Sequence, residues 1–141
     1  VGNPSRGDDA LGPLLLERLE VALAGPLARG GIELLTDFQL QVELIFDLEG
    51  RERVVFVDAS LVAEPPFTWG PALPDEALPA TSHSLSPGAL LACHRRLLGP
   101  PPPASLLAIR GERFELGEGL SPAAAAHLEQ ALAHLLTVLG A

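Results

Sequence analysis

The chain has 141 residues, 48% of them hydrophobic, and a formal net charge of −9. It is long enough for one domain with a real apolar core and is not disordered by composition. The acidity repels a phosphate backbone, and 5 Phe, 1 Trp and no Tyr leave few rings for base stacking, which sets nucleic acid aside and favours a cation or a basic peptide.

The single Cys93 excludes an internal disulfide and a cysteine zinc site, and it fits a cytoplasmic protein in a reducing cytosol. No apolar run reaches the roughly 20 residues of a bilayer span, and no signal peptide is evident. There is no Met anywhere, and Val1-Gly2-Asn3 is a pattern that normally follows a strand. A first strand is therefore expected ahead of Val1.

A helix is predicted over residues 8–24, with Leu11, Leu15, Leu19 and Leu23 on one face and Gly25-Pro26 as its stop. A short strand is expected at 32–35. A second helix follows at 40–48, with Leu40, Leu44 and Leu48 on one face and Gly50 at its end. A strand is expected at 53–58, apolar without a break from Val54 to Val57 and closing on Asp58, the pattern of a strand buried on both faces. Residues 67–71, bracketed by prolines, suit an edge strand. Ser86-Pro87 and Ser121-Pro122 are N-cap and N1 signals for helices running to about Leu98 and Leu139, with Leu128, Leu132, Leu135 and Leu136 as the core stripe of the last. A further strand is expected at 106–110. This alternation predicts a single α/β domain over 1–141, a three-layer α/β/α arrangement with a twisted, mostly parallel sheet of about five strands.

In open α/β sheets ligands bind beyond the carboxyl ends of strands. Three polar groups belong there: Asp9 in the opening loop, Asp58 at the end of the central strand, and His83 before the third helix. Two carboxylates and an imidazole suit a divalent ion such as zinc or nickel and leave positions open for water or substrate. Each has a plain reading beside this one: an acid in a first helical turn for Asp9, a loop cap for Asp58, a loop histidine for His83. Asp8 fits better as an N-cap than as a ligand. His127 and His134 are expected as half-exposed helix residues. Cys93 and His94, adjacent on a helix, point about 100° apart, which sets a nucleophile pair aside. Arg95 and Arg96 are expected to face solvent or to complement a helix C-terminus. Gly2-x-x-x-x-Gly7 lacks the Lys-Ser/Thr of a phosphate loop, and no Gly-x-Ser-x-Gly elbow is present.

The opening Gly2-Asn3-Pro4-Ser5-Arg6-Gly7-Asp8-Asp9-Ala10-Leu11-Gly12 resembles the start of the nickel–iron hydrogenase maturation endopeptidases. Val54-Val55-Phe56-Val57-Asp58-Ala59, Thr81-Ser82-His83-Ser84-Leu85 and Gly119-Leu120-Ser121-Pro122 are similar to later elements of that family, in the same order. The segment Thr36-Asp37-Phe38-Gln39-Leu40-Gln41 departs from a Gly-rich turn found in many members. The resemblance implies an endopeptidase that removes a short C-terminal extension from a nickel-loaded hydrogenase large-subunit precursor, cutting after a basic residue just beyond the last Cys-x-x-Cys. It maps metal contact onto Asp9, Asp58 and His83, with the nickel carried by the substrate and zinc or cadmium as possible occupants in vitro. Either Asp9 or Asp58 would serve as general base, or the metal would instead polarise the scissile carbonyl. The implied partner is the precursor, with no membrane or nucleic acid and a monomer favoured over an oligomer. The alternative on the same fold is a non-catalytic metal-dependent binding protein or chaperone.

Overall fold

The clearest local instructions are the two Ser-Pro pairs, and both act as capping chemistry dictates. The Ser86 hydroxyl accepts from the Ala89 N–H at 3.0 Å, and the Ser121 hydroxyl accepts from the Ala124 N–H at 3.2 Å. In each case proline follows at the first helical position, where its missing N–H costs nothing. The computed structural model describes residues 1–37, 39–76, 85–117 and 119–140. Its helices are α1 (Leu11–Ala22), α2 (Ala24–Ala28), α3 (Ile45–Leu48), α4 (Pro87–Leu98) and α5 (Pro122–Val138), with 3-10 turns at Gly7–Ala10 and Val42–Leu44. The strands are β1 (Val54–Ser60), β2 (Phe67–Pro71) and β3 (Ala104–Arg110).

The chain forms two compact units. The first comprises Val1–Phe38, Val57–Thr68 and Ala108–Ala141, and the second Gln39–Phe56 and Trp69–Leu107. In the first, α1 packs on α5. Leu11, Leu15 and Leu19 of α1 and Ala124, Ala131 and Leu135 of α5 are all buried, each leucine contributing roughly 2 kcal/mol relative to exposure. In the second, α3 packs on α4, and Ile45, Leu48, Leu90, Leu91 and Leu107 supply the core.

The strands lie in the order β1-β3-β2. Val54 N–H donates to Pro103 O at 2.9 Å and Gly111 N–H to Ser60 O at 2.9 Å, so β1 and β3 run parallel. Ala72 N–H donates to Ala104 O at 2.9 Å and Arg110 N–H to Pro66 O at 3.1 Å, so β2 runs antiparallel to β3. The sheet is therefore mixed, with the proline-flanked β2 at one edge as its composition demands; β3 is the middle strand, so β1, expected as the central strand, lies at the other edge among the described residues. Phe56 and Val57, adjacent and so on opposite faces, are both buried, as a strand covered on two sides requires.

The α/β class holds, but several expected details change. The described residues contain one sheet of three strands rather than five. Of the two others expected, one would precede Val1, and residues 32–35 are not a strand. Ile32 and Leu34 are half-buried while Glu33 and Leu35 are exposed, the alternation of an extended segment without a ladder. The first helix is also interrupted. Pro26 would drive its ring into the Ala22 carbonyl of a continuous helix, and α1 ends at Ala22. Pro26 then sits in the first turn of α2. The second expected helix shrinks to a 3-10 turn and the short α3, closed by Gly50 at φ +78°. β1 continues two residues past Asp58, so that residue lies within the strand and not at its end.

Candidate functional site

The opening motif folds into one object within the first unit. Gly2 has φ +140°, and a Cβ there would lie 2.0 Å from the Asp9 carbonyl oxygen. Only glycine lets the chain pass this close. The Asn3 N–H donates to Asp9 Oδ2 at 2.9 Å, and Asn3 Oδ1 accepts from the Ser5 N–H at 2.9 Å, closing the turn. Asp9 N–H donates to Arg6 O at 3.0 Å. A Cβ on Gly12 would meet the Val1 carbonyl oxygen at 2.4 Å, so this second glycine of the motif also serves a close approach. These contacts leave Asp9 partly exposed, its carboxylate aimed by a backbone N–H.

Asp58 enters the same neighbourhood from β1. Its Oδ1 accepts from the Ala59 N–H at 2.8 Å, and the Val1 nitrogen donates to the neighbouring Val57 carbonyl at 2.9 Å. Burial pushes the Asp58 carboxyl above its usual range, and the Asp9 charge adds to that rise, against the Ala59 N–H. Asp9 and Asp58 are thus brought within electrostatic reach of each other.

Asp37 joins them, its carbonyl accepting from the Gly2 N–H at 3.0 Å. Sequence reasoning missed it, treating its segment only as a departure from a glycine-rich turn. A backbone carbonyl carries no residue-type signal, so nothing in the sequence could have found it.

His83 lies outside the described residues. Among the described residues, no group of three His, Cys, Asp or Glu side chains is arranged to hold a metal ion.

Asp8, expected as an N-cap, has another role. It sits inside the 3-10 turn, whose N-cap is Arg6 with no side-chain bond. The Asp8 carboxylate is fully buried. Its Oδ2 accepts from the N–H groups of Glu112 (2.6 Å) and Arg113 (2.9 Å) and from the Ser121 hydroxyl (2.7 Å). Its Oδ1 accepts from the Ser121 N–H at 2.7 Å. Burial alone would raise this carboxyl; the backbone donors of Glu112, Ser121 and Arg113 and the Ser121 hydroxyl outweigh it and hold the group below its ordinary value. A local motif cannot announce this, because the partners are more than 100 residues away in sequence.

The remaining polar candidates are structural. His127 and His134 are half-exposed as expected, with His127 Nδ1 2.9 Å from Arg110 O and the His134 ring 5.0 Å from that of Phe67. Glu129 pairs with Arg18. In the second unit, His94 is buried, its Nδ1 2.9 Å from Gly99 O, and it closes the end of α4 rather than activating Cys93. Arg95 is exposed and bonds Glu76 at 2.9 Å; Arg96 is exposed as well.

Beyond Asp58 the chain presents an apolar pair to solvent, with Leu61 57% and Val62 89% exposed. The Ser60 hydroxyl accepts from the N–H groups of Val62 (3.2 Å) and Ala63 (3.1 Å), and Arg110 donates to the Ala63 carbonyl at 3.0 Å. The pair therefore stands on a pinned loop. No helix among the described residues is long and apolar enough to cross a membrane.

No family model matches the sequence, and comparison with curated proteins finds no match. Solved structures do match. The hydrogenase maturating endopeptidase HybD from E. coli aligns over 98% of this chain and 87% of its own, at 24% identity and TM-score 0.68. An endopeptidase from Escherichia coli aligns over 99% and 88%, at 27% identity and TM-score 0.62. The [NiFe] hydrogenase maturation protease HycI from Thermococcus kodakarensis KOD1 aligns over 99% and 88%, at 20% identity and TM-score 0.68. Over nearly its whole length, the chain has the fold of the hydrogenase maturation endopeptidases.

Proposed function

We propose that this chain is an endopeptidase of hydrogenase maturation, removing the C-terminal extension of a nickel-loaded [NiFe] hydrogenase large-subunit precursor. The observation that carries the reading is the convergence of Asp9 and Asp58 in a chain whose fold follows the maturation proteases end to end. Two carboxylates held near each other gain from a cation between them, because its charge relieves their repulsion. In this reading the nickel arrives with the substrate. Asp9, Asp58 and, from the sequence motif, His83 contact it and so hold the cleavage segment in place, an orientation effect. One of the two acids, Asp9 or Asp58, takes a proton from the attacking water. The raised pKa favours Asp58 for that task, since a stronger base accepts the proton more readily. The exposed Leu61 and Val62 offer apolar surface to a polypeptide arriving at Asp58. Zinc or cadmium would serve as probes of the same ligands in vitro.

The test is to incubate the purified chain with nickel-loaded precursor and follow its mass. Loss of the C-terminal segment is expected. Asp58→Asn and His83→Ala should slow that loss by about 100-fold or more. Tight binding without shortening would replace the protease with a metal-dependent chaperone. Equal cleavage of nickel-free precursor would remove the metal from the recognition.

A further inference from the structure

The buried Asp8 carboxylate forms the least expected constellation in the first unit, and the chemistry above leaves it without a task. Its four bonds go to two separate stretches: the loop after β3, through Glu112 and Arg113, and the start of α5, through Ser121. The backbone joins in, with Asp8 N–H donating to Arg113 O. Two further stitches run between the same segments, Gly117 N–H to Ser5 O at 2.9 Å and Arg6 Nε to Phe114 O at 3.3 Å. The approach needs glycine at 111, where a Cβ would lie 2.9 Å from the Asp8 Cβ and 2.8 Å from the Phe114 ring.

Asp9 is the next residue in the same one-turn element, and among the described residues its carboxylate is aimed by the Asn3 N–H. A 3-10 turn of four residues has little rigidity of its own. We propose that Asp8 is the positioning residue of the site: its ionised carboxylate clamps the Gly7–Ala10 turn to β3 and α5 and thereby fixes where Asp9 stands relative to Asp58. The inference rests on the protease reading for its catalytic consequence, but not for its geometry.

The charge and both oxygens are needed. Four donors converge on two oxygens, and an amide in their place turns an NH2 toward at least one of them, leaving it without an acceptor. Asp8→Asn should therefore release the turn while keeping shape and volume. Ser121→Ala removes one donor and the α5 cap but leaves the backbone bonds, and Ser121→Thr keeps the hydroxyl.

The experiment compares Asp8→Asn, Ser121→Ala and Ser121→Thr with the unaltered chain. It uses two readouts, taken well below the unfolding temperature. The first is the Asn3 amide by NMR, which reports the Asp9 carboxylate directly. In Asp8→Asn its resonance should move and its exchange protection fall by about tenfold, while amides of α1 and α5 stay protected. Ser121→Ala should move it less, and Ser121→Thr should restore it. The second is cleavage of nickel-loaded precursor, where kcat should fall on the order of 100-fold with KM little changed. An unmoved Asn3 amide in folded Asp8→Asn overturns the proposal. If Asp8→Asn does not fold, an unmoved Asn3 amide in Ser121→Ala overturns it. Should the unaltered chain fail to cleave the precursor, the protease reading falls, while the amide response still decides the positioning role.

Discussion

Each unit buries an ionisable side chain near a helix end, Asp8 in the first and His94 in the second, and the two are built differently. In the first, Asp8 is sealed among four donors, three of them backbone N–H groups. In the second, His94 has the Gly99 carbonyl on one ring nitrogen and, at 2.9 Å from the other, a Glu49 carboxylate whose side chain is 54% exposed. The Glu49 contact lacks hydrogen-bond alignment. A charge held by backbone donors joins distant stretches of chain and fixes them. A ring leaning on a flexible surface carboxylate closes one helix and does little more. The difference teaches where to look for a site: beside the group whose removal would leave several fixed donors without a partner.

This contrast can be broken at several points. Asp8→Ala should cost roughly 3 kcal/mol or more, because each stranded buried donor carries its own desolvation penalty; chemical denaturation measures it, and a loss as small as that of His94→Leu would erase the distinction. His94→Leu, similar in volume and without polar atoms, should cost about 1 kcal/mol, chiefly from the unanswered Gly99 carbonyl. Ser121→Ala removes the hydroxyl that both caps α5 and bonds Asp8 and should also cost about 1 kcal/mol. Glu49→Gln should move stability by less than about 0.5 kcal/mol, as expected for a partner open to solvent.

Acidification sharpens the comparison further. The Asp8 carboxyl lies below its ordinary value in the folded chain. Its contribution is therefore complete above the unfolded-state pKa and is lost as pH falls through the folded-state one. Asp58 has the opposite sign. Its folded pKa is raised, so stability is lost as pH rises from the unfolded value through the folded value. Asp58→Asn removes that cost, and melting at neutral pH should show a higher Tm in the variant than in the parent. A lower Tm would mean that the carboxylate is better solvated than its burial indicates. Paired with lost cleavage, the higher Tm would mark a residue kept for chemistry at the expense of stability.

Particular residues show how much was legible beforehand. Ser86-Pro87 and Ser121-Pro122 marked their helices because a cap is a bond between residues three apart. Phe56 and Val57 marked the strand buried on both faces, and Asp9 and Asp58 could be paired because α/β topology returns such positions to one side of a sheet. Residues 32–35 were misread, since a strand exists only if another strand offers a ladder, and no local pattern records that. Pro26 had the right consequence, but the helix ends at Ala22, two residues before the expected stop.

By itself, then, the sequence determined the starts of the last two helices, the three strand segments, the edge position of residues 67–71 and the α/β class, all of which depend on neighbours within a turn or on strict periodicity. Tertiary structure alone decided the number of strands, the company of Asp37 and the function of Asp8. Those rest on groups far apart along the chain, whose meeting is set by how the elements pack and not by any signal that either segment carries.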